Sequence, residues 1–391
     1  MWRPALAVTL SDWFFLVAFL LIVLEMLVRN RIEIQIQKYL VVGLIVFFTG
    51  GILSSVATYT PILSIIALLK YVYLIGIWFW IGTVVLRRPR HINIAVILWT
   101  ISAATSGAGA ISQLVWGDII PHATITWGRM SGFTEHVNDL AGVTSVALVP
   151  ALVIVTHSAD RIWRLPAAFM LVFMIGTGLI LSISISGVVA ALVSLLIWIT
   201  LGSVNRKLQL KNIVVFTIAS TLILIVTILQ TDYAGLSVLS RFGDISTEGT
   251  EFSTLASRLD TYNVAWDIIL RNPVIGVGLG PSIGITDTGH QVHNLFLLSW
   301  YEAGLFGFIG MLIITGTVFW IGVKIIRCPF SHYERRIGVS LFASYIGFLI
   351  LSMAQPIYYK RFGWISAALL LAVYALRRLP ITLYSGNTKP R

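Results

Sequence analysis

The chain reads as an all-α polytopic integral membrane protein, with about eleven to twelve transmembrane helices and one large loop on the outer face. Three observations predict this. Of 391 residues, 57% are hydrophobic and only 11% are charged, whereas ordinary soluble domains carry about 25% charged residues. Apolar runs long enough to span a bilayer recur along the whole sequence. The formal net charge of +11 would suit a polyanion, but the cations sit in short loops between apolar spans. That placement argues for a membrane and against nucleic acid.

Taken in order, spans are expected near 10–28, 40–57, 62–86, 92–116, 139–157, 165–183, 187–203, 212–230, 294–323, 338–355 and 363–376. The first lacks a basic n-region beyond Arg3 and a small-residue cleavage site, so it is read as a retained span. Of the 27 Lys and Arg residues, 19 fall in one set of loops and termini, 7 in the other, and Lys70 lies inside a span. The two sets alternate from residue 29 to 391, which makes the richer set cytoplasmic. The C-terminus is then inside and His293 outside. The N-terminus is outside, unless residues 1–28 form a short hairpin that returns it to the cytoplasm. No internal repeat or soluble domain is evident, so residues 1–391 are read as one membrane domain. The single cysteine, Cys328, excludes an internal disulfide framework.

Two outer loops are long. Residues 117–138 place Gly, Pro and Trp at the interface. The large outer loop, 231–292, is too long for a simple connector. Within it Ser253 or Thr254 can cap a helix that runs to about Leu270 and stops at Asn272-Pro273. Arg258, Tyr262 and Trp266 recur at i, i+4 and i+8 and share one face. That helix either lies on the membrane surface or aims Arg258 at a substrate phosphate. The following Gly276, Gly278 and Gly280 allow tight turns or close backbone approach to an anion. They are no dinucleotide fingerprint, because the βαβ context is missing.

The stretch His293 to Gly307, HNLFLLSWYEAGLFG, opens where the long polar loop re-enters an apolar helix. An imidazole there titrates near neutrality and can act as a general base; as a plain alternative it anchors the helix at the interface. The outer side also offers His122, His136 and His290, and Arg129, Arg241, Arg258 and Arg361. His290 and His293 are three apart but have no third ligand at zinc-site spacing, so no metal and no cofactor is expected. Outer carboxylates show no DxD-type pair, which leaves a substrate diphosphate to arginines. Lys70, in LLKYVYL, is costly inside a membrane; it either serves function or pairs with Glu25.

The His293-Asn294 pair, nine residues, then Gly304-Leu305-Phe306-Gly307 resembles the motif of the O-antigen ligase family, which also contains O-antigen and exopolysaccharide polymerases. Ser257-Arg258, Trp266, Pro273 and Gly276-Val277-Gly278 are similar to the family's preceding pattern. Arg129-Met130-Ser131-Gly132-Phe133 with Asn138 and Ala141 is similar to an upstream one. The resemblance covers roughly 125–310. One turn departs: the family's Ser-Arg-(Ser)-Gly reads Ser184-Ile185-Ser186-Gly187 here. Its phosphate-binding arginine is therefore absent, or supplied by Arg129, Arg241 or Arg361.

The resemblance implies a GT-C-like membrane glycosyltransferase of the bacterial inner membrane, working at the periplasmic face. It would move a glycan from an undecaprenyl diphosphate carrier to a saccharide acceptor, without a metal and with inversion. The acceptor would be lipid A-core for a ligase, or a second carrier-linked glycan for a polymerase. By the same resemblance His293 and Arg258 would be catalytic. Arg129, Arg241, Asn294, Trp266, His290, Gly276 and Gly278 would bind substrate, and Gly304 and Gly307 would be structural. A flippase for lipid-linked sugar is the reading from another class, and it predicts buried charge pairs and an internal pseudo-repeat.

Overall fold

The computed structural model describes residues 10–29, 36–117, 125–126, 128–158, 165–202, 251–280, 291–329 and 331–378. Within them the expected spans form helices in order. The first four are α1 Leu10–Arg29, α2 Lys38–Ala57, α3 Pro61–Val85 and α4 Pro89–Trp116. Next come α5 Val137–Ser158, α6 Leu165–Leu181 and α7 Ile185–Leu201. Then follow α8 Glu251–Arg271, α9 Leu295–Arg327, α10 His332–Ser352 and α11 Arg361–Ala375. The span expected at 212–230 and the loop portions 231–250 and 281–290 lie outside the described residues.

Among the described residues, six helices (α2, α3, α4, α5, α9 and α10) are long and apolar enough to cross a membrane. Helices α1, α6, α7 and α11 are shorter apolar ones. The β structure described is one antiparallel hairpin, β1 Ile125–Thr126 with β2 Arg129–Met130. The protein is an all-α polytopic membrane protein, as its composition requires.

Local chemistry sets the helix ends. Pro61 and Pro89 open α3 and α4, where a missing N–H costs nothing. Ser184, Asn294 and Ser331 cap α7, α9 and α10 with their side-chain oxygens. Helix α3 widens into a π-helical segment at Val72–Ile77, directly after Tyr71.

Helices α5 and α10 form the centre of the bundle, with 78% and 72% of their apolar windows buried, against 39–44% for α2, α3 and α4. They are tied by the Ser344 hydroxyl, which donates to the Val146 carbonyl. Tyr345 donates to Thr315 O at 2.9 Å and joins α10 to α9. Helix α2 lies against α9 at backbone distance. A Cβ on Gly50 would stand 2.6 Å from Ala303 O, and one on Gly310 would stand 2.4 Å from Phe47 N. In lipid, where hydrophobic driving force between helices is weak, small residues at such crossings allow the contact that holds them.

Candidate functional site

The site begins with a break in a helix. Gly304 has φ 65° and ψ −163°, so α9 is two helical pieces, 295–303 and 305–327, joined at a point only glycine adopts readily. Breaking a helix frees carbonyls before the break and N–H groups after it. The segment 273–280 satisfies them: Val277 N donates to Tyr301 O and Gly278 N to Glu302 O, both at 3.0 Å, and Leu305 N donates to Pro273 O at 3.0 Å. Gly276 (φ 78°) lets this segment close on the break, since a Cβ there would lie 2.5 Å from Gly304 N. Gly278 packs against the Thr58 side chain. Gly276 and Gly278, expected to make tight turns or approach an anion, here meet the broken α9 and the Thr58 side chain at the end of α2, and Gly280 faces Ala67 of α3.

His293 and Asn294 stand at the head of α9. Asn294 Oδ1 accepts from Phe296 N at 3.0 Å and Leu297 N at 3.1 Å, so its observed task is to cap the helix. His293 Nδ1 lies 2.6 Å from Gln291 O. A carbonyl oxygen only accepts, so Nδ1 carries the hydrogen and Nε2 is the basic nitrogen of the neutral ring. Tyr262 of α8 donates to His293 O at 2.8 Å, with Met353 O also in reach at 3.2 Å. Burial raises the Tyr262 phenol above its ordinary pKa, and the charge of Arg258 opposes it. Arg258, Tyr262 and Trp266 share a face of α8 as expected. Tyr262 holds His293, and Trp266 packs edge-on against Trp300 at 5.7 Å. Arg258, half-buried, lies one helical turn from the residue that grips His293.

A second group of residues faces the same end. Arg129 Nε donates to Ser182 O at 2.9 Å and one terminal nitrogen donates to Asn138 Oδ1 at 2.8 Å. It thereby clamps the β hairpin to the turn between α6 and α7. His136 Nδ1 accepts from Asn138 N at 3.1 Å, which leaves its hydrogen on Nε2. Burial lowers the His136 pKa; Asp139 opposes this, and Arg129 and Lys360 add to it. Lys360 forms an ion pair with Asp139 at 2.9 Å. Next to it, Tyr359 donates to Gln291 Oε1 at 3.0 Å, and burial, then Asp139 and Glu302, raise its phenol pKa. Lys70 and Lys360 place their ammonium groups 5.9 and 5.6 Å from the Tyr359 ring centre.

Below these, Glu302 is 1% exposed. Its carboxyl accepts from the Tyr358 hydroxyl, whose oxygen lies 3.0 Å from Tyr71 OH. The divergent turn at Ser184-Ile185-Ser186 is braced by Gln355, whose Nε2 lies 2.9 Å from Ser186 Oγ. Ile183 before it holds a positive φ of 46°, unusual for a β-branched residue.

The structure thus brings together His293, Asn294, Arg258 and Trp266 through α8 and α9, while Arg129 sits at the α6–α7 turn. Arg241 and His290 lie outside the described residues. Sequence reasoning passed over Gln291 and Tyr359, and counted Lys360 and Asp139 only among the outer charges, with no role in the site. The polar run Gln355 to Arg361, between α10 and α11, was the signal that could have marked two of them, Tyr359 and Lys360. Among the described residues no three His, Cys, Asp or Glu side chains gather at metal-binding range.

Fold and site define a class: a polytopic membrane protein whose polar chemistry collects at one end of its helices, around a histidine at a helix head. Residues 169–312 match the O-antigen ligase family, which is the resemblance carried by the His293–Gly307 motif. The match supports glycosyl transfer of the O-antigen ligase or polymerase kind as the general class of activity. A search of curated proteins found no match.

Proposed function

We propose that the protein transfers a glycan from an undecaprenyl diphosphate carrier to a saccharide hydroxyl at the periplasmic face of the inner membrane, with lipid A-core as acceptor. The observation that carries this reading is the Tyr262–His293 hydrogen bond of 2.8 Å. It ties α8, which carries Arg258, the candidate phosphate-binding residue, to His293, the candidate base just before α9. In the reaction, the acceptor oxygen attacks the anomeric carbon and the bond from that carbon to the diphosphate oxygen breaks. The acceptor proton passes to His293 Nε2, and the electron pair leaves with the diphosphate. A single displacement inverts the anomeric centre. The leaving group is already competent, so arginine can meet its developing charge and no metal step is needed. Asn294 acts indirectly, by fixing the helix end from which His293 projects.

The test uses purified protein and its His293→Ala variant with undecaprenyl diphosphate-linked glycan, with and without lipid A-core. Product formed only with lipid A-core, and lost in the variant, is the expected result. Longer carrier-linked chains without lipid A-core would make the protein a polymerase. Unchanged turnover in the variant would remove His293 from the mechanism.

A further inference from the structure

The turn between α10 and α11 is fixed at Tyr358 by its ring, its hydroxyl and its carbonyl. Tyr358 is 0% exposed, and its ring stacks on Tyr71 with centres 5.1 Å apart. Its hydroxyl donates to the Glu302 carboxyl and accepts from the Tyr71 hydroxyl at 3.0 Å. Its carbonyl accepts from Trp364 Nε1 at 2.6 Å. Breaking such buried bonds is costly, because the polar groups they release find no water. The next residue, Tyr359, is thus presented from a rigid base.

Tyr359 reaches across 68 positions of sequence to donate to Gln291 Oε1 at 3.0 Å. Burial, then Asp139 and Glu302, hold its phenol above the ordinary range, so it stays a donor at neutral pH. The peptide that links Gln291 to Val292 is then held at both ends. The Gln291 side chain is tethered to Tyr359, and Val292 is 0% exposed. That peptide carries the carbonyl 2.6 Å from His293 Nδ1, the contact that leaves Nε2 as the basic nitrogen. With the carbonyl turned away, this contact would no longer keep the hydrogen on Nδ1.

We infer that Tyr359 is a positioning residue for His293, acting through Gln291 to keep the imidazole hydrogen on Nδ1 and to make Nε2 the nitrogen that takes a proton. The use of that nitrogen in glycosyl transfer rests on the function proposed above; the tautomer itself does not.

The test is nitrogen NMR of the full chain in detergent micelles, with isotope-labelled histidine rings and the pH well above about 6.5, where imidazoles are neutral. Among the seven histidines, His293 is identified by the signals that His293→Gln removes, and His136 by those that His136→Gln removes. His136 is the control, since its Nδ1 accepts from Asn138 N and its hydrogen is on Nε2. Wild type should show His293 with its hydrogen on Nδ1. Tyr359→Phe keeps the ring and removes the donor, and Gln291→Met removes the acceptor; unchanged thermal unfolding confirms that both fold. Each should move a substantial share of His293 to the Nε2–H form and leave His136 as it is. In a parallel turnover assay kcat should fall about three- to tenfold, the worth of one neutral hydrogen bond, with KM little changed. A shifted His293 tautomer in a protein without transferase activity would keep the Tyr359 tether and remove the glycosyl-transfer reading. An unchanged tautomer in both variants, an equal change at His136, or a wild-type His293 with its hydrogen on Nε2 would each overturn the tether, whatever the activity.

Discussion

His293 is oriented by the Gln291 carbonyl on Nδ1, while the Tyr262 phenol fixes its own backbone carbonyl. Together they set both the tautomer and the place of the ring. Replacing it by alanine should lower turnover by roughly 10²–10⁴-fold, the usual contribution of a general base, while ordered helix content is kept. Circular dichroism and a turnover assay on the same preparation would check this. Tyr262→Phe keeps the ring and removes the bond to His293 O, so it should lower kcat more than it raises KM. Arg258→Lys keeps the charge and loses the two-pronged geometry, so KM for the carrier-linked donor should rise about tenfold. An unchanged KM would place Arg258 on the membrane surface instead, the plain reading of an amphipathic helix.

At the level of elements, the informative feature is the interruption of α9. Its two pieces, the segment 273–280 and helix α2 are interlocked through glycines, and Gly304 is the least replaceable. A Cβ there would stand 2.0 Å from Val274 O, on a backbone with φ 65°. Gly304→Ala should therefore destabilise the protein by roughly 3 kcal/mol or more, through strain and a backbone clash that cannot relax locally. Asn294→Ala removes the cap of α9 and should cost about 1 kcal/mol, with Asn294→Ser recovering most of it. Both comparisons are read as shifts of the unfolding midpoint in detergent. Equal stability of Gly304→Ala and wild type would mean that α9 is continuous in the membrane.

Across the molecule, the polar residues of one end are held by contacts between distant segments. Lys360 reaches Asp139, Gln355 reaches Ser186, and Tyr359 reaches Gln291. His136 stands among them, its pKa lowered chiefly by burial. The sign of its effect follows from linkage: the unfolded chain takes up the proton first as pH falls. The stability associated with neutral His136 is present above the ordinary histidine pKa and is lost as pH falls through the lowered folded value. The unfolding midpoint should thus drop on acidification below about pH 6.5, and His136→Gln should flatten that dependence. An identical slope in the variant would show that another group governs it.

The sequence by itself determined the class of the protein, the ten expected spans (of eleven) that lie within the described residues, and the amphipathic helix before Asn272-Pro273. Length, apolar content and cap or breaker residues are local properties, and a bilayer leaves the backbone few alternatives to a helix. It also marked His293, Arg258 and Gly304, because their spacing recurs in a known motif. What only the tertiary structure decided is which groups meet. Tyr262 on His293 O, the segment 273–280 on the broken α9, and Lys70 by the Tyr359 ring join residues from 24 to 289 positions apart. Such pairs follow from how helices cross and how deep a turn sinks between them. No periodicity or local propensity encodes that, which is why the arrangement around Tyr359 was not legible from the chain alone.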